Sequence, residues 1–398
     1  MESTLSLSPV LKARWSAVFS LFLGVTCLIS AEFIPVSLLT PIADGLVISE
    51  GMAGQTVTSV GVLAMLTSLL LAPLTRHTDR RRILLVLSTL LLISNIMVAM
   101  ASNYAMLMIG RGLLGVCVGG FWSMASAVTI QLVPSKDIPR ALSVLYSGVS
   151  VATIIALPLA SLLEEAFGWR NVFLLSAVPG LISLIWQYLV LPSLPPRPGN
   201  DFNGMRALLN VRWAATGIVA TIFGYGGYHS LFTYLRPFLE HGLALTPAGL
   251  SFTLLAYGVA NTCGTVAAGL LLNNHFRSTM TGMHIAMAAI AVMLLFCRDI
   301  ASASLSLLLC WGFLFGILCV GWTTWIARTL ADKAEIAGGL SVAAIQFAIG
   351  TAAAFGGHIY DASGMSGIFL SAAVILTAAT LLAAASFARY RRETGKKI

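Results

Sequence analysis

Glu32 and Arg111 are the residues of this chain whose positions most demand a chemical explanation. Glu32 follows an apolar run from Trp15 to Ala31 and precedes Phe33-Ile-Pro-Val-Ser-Leu-Leu39. A charged side chain at the centre of a membrane-spanning helix costs about 2.5–3.5 kcal/mol on insertion scales. Such residues face a polar cavity or a partner and mark ion or substrate sites. The other acids lie near segment ends or in loops. Counted at about 1.5 Å per residue from Trp15, Glu32 lies roughly 25 Å along its helix. Arg111, in Tyr104-Ala-Met-Leu-Met-Ile-Gly-Arg111-Gly-Leu-Leu-Gly115, lies roughly 10 Å from the start of a helix running the other way. The two heads can therefore share a depth. Burial and a nearby cation act in opposite senses on a carboxyl group, so a Glu held between them can exchange protons. The plainer alternatives are a fixed ion pair or a rim residue for Glu32, and a donor tying helices together through backbone carbonyls for Arg111.

A second set of residues suits a planar, polar solute. Phe121 and Trp122, Tyr225, Tyr228 and Tyr234, and Trp322 and Trp325 fall near the middle of apolar segments. Aromatic faces stack on planar rings, and Trp322 and Trp325, three apart, share one helix face. Ser123, His229, Asn261, Thr323 and Gln346 are polar neighbours able to hydrogen-bond a ligand. The candidate binding residues are therefore Phe121, Trp122, Tyr228, Asn261, Trp322, Trp325, Gln346 and Arg236, the last in Phe232-Thr-Tyr-Leu-Arg-Pro-Phe238. Packing is the alternative for each aromatic, and snorkelling to the surface for Arg236. Gly115 and Gly119 let helices approach closely, as does Gly148, and Pro158 bends its helix. Asp79 and Arg80, in Asp79-Arg-Arg-Arg82, read as an orientation signal or as a latch between helices.

Other chemistries are excluded. The six cysteines lie in or beside apolar segments and form no C-x-x-C pair, so neither a disulfide framework nor a metal site is expected. There is no H-E-x-x-H, no nucleophile–base set and no phosphate loop, so no enzyme and no cofactor are expected. The net charge of +8 is not interleaved with aromatics, which argues against nucleic acid.

The elements that must position these residues are membrane-spanning helices. The chain is 58% hydrophobic and 10% charged, against about 25% charged in soluble proteins. About 20 apolar residues cross a bilayer, and the apolar runs are 16–40, 54–74, 83–101, 105–128, 141–164, 170–191, 213–236, 247–272, 278–297, 302–327, 338–359 and 366–388. The run after Lys12 and Arg14 is too long for a cleaved signal and reads as a retained span. With the N-terminus inside, inner loops and tails hold 19 of 23 basic residues, leaving Arg111, Arg170, Arg236 and Arg298. The positive-inside rule then puts both termini in the cytoplasm. The Pro-rich connection 192–212 separates an N-terminal six-helix half, 1–191, from a C-terminal one, 213–398. Ala141-Leu-Ser-Val144 matches Gly339-Leu-Ser-Val342, Gly120-Phe-Trp122 matches Val320-Gly-Trp322, and Asn171-Val-Phe173 matches Gly367-Ile-Phe369, at offsets of 198, 200 and 196. Six spans per copy leave both copies in one orientation, the parallel-repeat plan of transporters with a midplane site between the repeats. The expected fold is an all-α membrane protein of twelve transmembrane helices in two parallel six-helix halves, acting as a monomer in a lipid bilayer on a small-molecule substrate.

Several strings resemble the major facilitator superfamily, in its drug–proton antiporter branch. Arg111-Gly-Leu-Leu-Gly115-Val-Cys-Val-Gly119 is similar to the family's fourth-helix R-x-x-q-G-x-g motif, in which the resemblance implicates the Arg in proton coupling. Gly148 through Pro158-Leu-Ala-Ser161 resembles the fifth-helix antiporter motif, with Ala156, Leu157, Ala160 and Ser161 replacing glycines or their neighbours. Gly168-Trp-Arg170-Asn-Val-Phe173 matches the start of the sixth span. In the G-x-x-x-D-R-x-G-R-R-R loop motif, Ala72, Arg76, His77 and Asp79 stand at the Gly, Asp, Arg and Gly places, so the latch carboxylate is moved or missing. Glu32-Phe-Ile-Pro-Val-Ser-Leu-Leu-Thr-Pro41, Gly119-Gly-Phe-Trp122, Phe232-Thr-Tyr-Leu-Arg-Pro237 and Gly321-Trp-Thr-Thr-Trp-Ile-Ala-Arg328 resemble nucleoside-exporting members. That resemblance implies export of inosine- and guanosine-like purine ribonucleosides across a bacterial inner membrane, driven by protons through Glu32 and Arg111. Sugar (arabinose-like) and drug exporters of the family share Glu-Phe-x-Pro, so proton-driven efflux of those solutes is the alternative.

Overall fold

The structure is a computed structural model that describes residues 13–134, 137–195, 202–330 and 333–395. Lys12, Lys136, Arg197, Lys396 and Lys397 of the inner basic set, and residues 196–201 of the connection, lie outside the described residues. Among those described, the regular elements are helices: α1 (Trp15–Ser37), α2 (Leu39–Leu46), α3 (Glu50–Leu74), α4 (Arg80–Ala99), α5 (Tyr104–Gln131), α6 (Ile138–Phe167), α7 (Trp169–Val190), α8 (Phe202–Leu209), α9 (Arg212–Phe232), α10 (Leu235–Pro237), α11 (Pro247–Cys297), α12 (Ala301–Thr329) and α13 (Ala334–Thr394).

Their ends follow local chemistry. The side chains of Ser49, Asp79, Asn103 and Thr246 accept hydrogen bonds from the first-turn amides of α3, α4, α5 and α11, the usual N-cap arrangement for orphan donors. α1 stops at Ser37, short of the expected 40. Pro35 has no N–H to continue the ladder, and a new helix starts at Leu39. The seventh span likewise ends at Phe232 rather than 236, before a one-turn α10 and a π-turn over Phe238–Gly242. α11 and α13 each run through a break, at His275 (φ −138°) and at Gly364 (φ +60°). The second lies in backbone space that favours glycine.

Among the described residues, ten candidate spans are long and apolar enough to cross a membrane. α13 makes two passes about Gly364, and the glycine- and tyrosine-rich α9 has membrane length. The arrangement is therefore consistent with twelve crossings. The segments 75–79, 132–134 and 191–195, with Leu330 and Lys333 and both described ends, share one face, called the near face here. The far face carries 38–49, 100–103, 233–246, 298–300 and Gly364.

Packing partners in the second set of helices mirror those in the first. α3 lies on α5 and α1 on α6, while α11 lies on α12 and α9 on α13. Contacts of α3 with α13 and of α6 with α11 join the sets. Glycines permit the closest approaches. A Cβ on Gly119 would sit 2.1 Å from the Ala64 carbonyl oxygen, and one on Gly115 2.5 Å from that of Val60. Gly148 brings α6 within 2.8 Å of the Phe22 carbonyl of α1 by the same measure.

Candidate functional site

The site begins with a missing backbone donor. In α1 the amide of residue 35 would pair with the Ala31 carbonyl, but residue 35 is proline. Arg111, reaching from α5, donates its Nη1 to that carbonyl at 2.7 Å and its Nη2 to the Glu32 carbonyl at 3.3 Å. Arg111 is 1% exposed. Its guanidinium thus bonds the backbone of α1 beside Glu32. The Glu32 carboxylate, itself buried, accepts instead from Nε2 of Gln346 on α13, at 3.4 Å. This hydrogen bond joins the two helix sets. Arg111 Nε and Gln346 Oε1 are buried without partners, so unused hydrogen-bonding capacity flanks the carboxylate.

Phe33, the next residue, lines a narrow cleft with Thr153, Leu157, Tyr228, Phe232, Tyr257, Gly258, Asn261 and Phe315. α1 and α6 supply one wall, and α9, α11 and α12 the other. The Tyr228 and Tyr257 hydroxyls hydrogen-bond at 2.7 Å, and Tyr228 stacks on Phe315 at 3.6 Å and 3°. The cleft is aromatic, with polarity from Thr153, two phenols and the Asn261 amide. Its lining matches the chemistry of a flat, apolar-faced solute with a few hydrogen-bonding groups on its edge, and in this conformation the cleft is nearly closed.

Of the binding candidates, Tyr228 and Asn261 line this cleft and Gln346 adjoins it through Glu32. The rest lie elsewhere. Trp322 and Trp325 are fully buried in the second helix set, where Trp325 meets Trp213 and Trp322 meets His284. Phe121 is buried in the core of the first set. Trp122 is half-buried and stacks on the exposed Tyr146. Arg236 is 6% exposed and each of its guanidinium nitrogens is engaged: it pairs with Glu164 at 3.0 Å and Glu240 at 2.7 Å and donates to the Ser37 carbonyl. Pro158 follows Leu157, whose carbonyl accepts from Ser37 Oγ at 2.9 Å.

Asp79 serves the near face. It accepts from Ser193 Oγ at 2.5 Å and the Leu194 amide at 3.0 Å, while Arg80 donates to Thr75 Oγ1 at 2.8 Å. The pair ties the start of α4 to the segment after α7, within one helix set. Partial burial pushes the Asp79 carboxyl up, but these hydrogen bonds, with that from the Arg81 amide and the Arg82 charge, hold it below its ordinary value.

Sequence reasoning missed the far-face cluster. Glu50 accepts from Tyr360 Oη at 2.6 Å and Thr40 Oγ1 at 2.9 Å, and pairs with His241 at 3.2 Å. Asp361 accepts from Ser49 Oγ at 2.7 Å and the Gly51 amide at 3.0 Å. With Arg236, these bonds stitch the helix sets together on the far face. Their only sequence signal was a set of acids at helix ends.

Two matched sets of membrane-length helices, with a buried carboxylate and an aromatic cleft at their seam, are the plan of a membrane transporter. Residues 21–350 match the family model of the Major Facilitator Superfamily. The purine ribonucleoside efflux pump NepI of Salmonella paratyphi C is 40% identical over 376 residues, 94% of this chain and 95% of that protein. The protein of the same name from Shigella dysenteriae serotype 1 is 39% identical over the same shares. In fold, the chain is similar to the D-xylose–proton symporter, with a TM-score of 0.79 at 16% identity over 97% of this chain and 100% of that one. It is also similar to a bacterial homologue of the human lysosomal transporter Spinster in an inward-facing, unoccupied conformation, with a TM-score of 0.75 at 13% identity over 95% and 96%. The chain belongs to the Major Facilitator Superfamily.

Proposed function

We propose that the protein exports purine ribonucleosides of the inosine and guanosine type in exchange for protons, across a bacterial inner membrane with both termini in the cytoplasm. The relatives named as purine ribonucleoside efflux pumps support the substrate class over nearly the whole chain. The observation that carries the reading is that Glu32, hydrogen-bonded across the seam to Gln346, immediately precedes Phe33, which lines the aromatic cleft between the two helix sets. Phe33, Phe232, Tyr257 and the Tyr228–Phe315 stack offer ring faces to a purine, and Asn261 offers an amide to its edge. Such a lining suits a nucleoside better than an arabinose-like sugar, which has no flat ring. The concentration of Lys and Arg on the near face supports its being the cytoplasmic one. The proton gradient is the energy source, and the carrier works as a monomer.

The two halves, 1–191 and 213–398 joined by 192–212, rock about the central site. As a carboxylate, Glu32 accepts from Gln346 Nε2. As a carboxylic acid it carries a donor of its own, and the unpartnered Gln346 Oε1 can receive it. Protonation from the outside therefore rewrites a buried hydrogen bond that joins the halves, and release to the cytoplasm restores it as nucleoside loads.

The test is transport of radiolabelled inosine and guanosine in proteoliposomes with an imposed pH gradient, with arabinose and a drug panel in parallel. Glu32→Gln keeps the shape of the site and removes the proton, so it abolishes proton-driven export while the protein still folds. Full export by that variant refutes the mechanism. Flux of arabinose or drugs without inosine assigns the scaffold to the other cargo.

A further inference from the structure

α1 is interrupted at Pro35, and the two sides of the interruption are held by arginines from different helix sets. Arg111, in the first set, holds the Ala31 and Glu32 carbonyls. Arg236, in the second set, donates to the Ser37 carbonyl, at the last residue of α1. The final carbonyls of a helix have no intrahelical donor, and a cation at that end also meets the negative pole of the helix dipole. Past Pro35, the end of α1 thus takes part of its position from Arg236.

We propose that Arg236 is a positioning residue for proton exchange. While the far face is closed, it grips the last turn of α1 and so keeps Glu32 against Gln346. When the far face opens, it lets go. This rests on the reading of Glu32 as the proton carrier. The distribution of its partners makes the grip reversible. Ser37 and Glu164 belong to the first set and are left behind on opening, whereas Glu240, 2.7 Å from Nε and four residues on in the same set, travels with Arg236 and keeps its charge paired. The guanidinium fork meets three acceptors at once, which an ammonium group on a flexible stem does not reproduce.

The experiment compares wild type, Arg236→Gln and Arg236→Lys in proteoliposomes. Inosine transport is driven by a pH gradient over a series of outside pH values, and equilibrium inosine binding is measured on the purified proteins. Loss of a charge-assisted hydrogen bond at this point lowers proton-driven transport about tenfold and displaces its pH profile, with inosine affinity close to wild type. Arg236→Lys, which keeps the charge between Glu164 and Glu240, folds and shows the same displacement. A wild-type pH profile in Arg236→Lys overturns the proposal and leaves Arg236 a neutraliser of two acids; so does an unchanged profile in Arg236→Gln. Glu32→Gln is run alongside. If it retains proton-driven export, the underlying reading fails; if it abolishes export while the Arg236 profiles stay normal, only the present inference fails.

Discussion

The bond between Arg111 and the Ala31 carbonyl exists because Pro35 supplies no amide, and this makes a quantitative prediction. Replacing Arg111 by Met keeps the side-chain bulk and removes two hydrogen bonds to buried carbonyls, one of 2.7 Å and one of 3.3 Å. A hydrogen bond to a charged group is worth about 1.5–3 kcal/mol, and a buried acceptor left unpaired costs about 1–3 kcal/mol. The longer contact adds less, so the expected loss is about 3 kcal/mol. For a chain of this length that lowers the melting temperature by roughly 4 °C, from the usual unfolding entropy per residue. Pro35→Ala restores an amide that can reach the Ala31 carbonyl within the helix. In an Arg111→Met background it should return about 1–2 kcal/mol, because the orphaned acceptor is the shared element. The assay is thermal unfolding of the four purified proteins in one detergent, analysed as a double-mutant cycle. Strict additivity of the two substitutions would refute the link between Arg111 and the proline.

Three further outcomes follow from the packing and polar clusters. Gly119→Val places a Cβ 2.1 Å from a backbone oxygen of α3, so it should cost about 1–3 kcal/mol by overpacking; Gly180→Ala, which meets nothing within 4 Å, should leave the melting temperature unchanged or slightly raised. Glu50→Gln weakens the acceptor shared by Tyr360, Thr40 and His241 and should raise hydrogen exchange in the α13 segment 357–363, with no change there counting against a sealing role. Asp79 has a folded-state pKa held below its ordinary value, so its stabilising contribution is complete above the unfolded carboxylate pKa of about 3.9 and fades as pH falls through the lower folded value. Asp79→Asn should therefore melt lower than wild type at neutral pH, and the gap should close in acid.

Much of the architecture was legible because bilayer thickness leaves a long apolar signature. The apolar runs located the helices. Breaks were harder. Pro35 lay in plain view, but that it ends α1 at Ser37 and starts a second helix depends on where Arg111 and Arg236 find the freed carbonyls. Glu32 stood out through the cost of a buried charge, a property of one residue in its own segment. Its partner did not. Gln346 is 314 positions away, and no local spacing relates the two. Trp322 and Trp325 show the limit most clearly. Spacing places them on one side of α12 without saying which neighbour that side meets, and it meets α9 and the core of the second set rather than the cleft. Glu50, Asp361 and Glu164 looked like ordinary acids at helix ends until the fold brought them against the other helix set.

In the proposed cycle the Arg111 guanidinium, spent on carbonyl oxygens, keeps its positive charge while Glu32 gains and loses a proton. Under the proposed exchange, one proton against one neutral nucleoside would carry one elementary charge across the membrane per turnover. Such a carrier would be electrogenic, and voltage would drive it as well as a pH difference. A potential of 100 mV is worth about 2.3 kcal/mol per charge, enough to hold a roughly 50-fold nucleoside ratio with no difference in pH between the two sides.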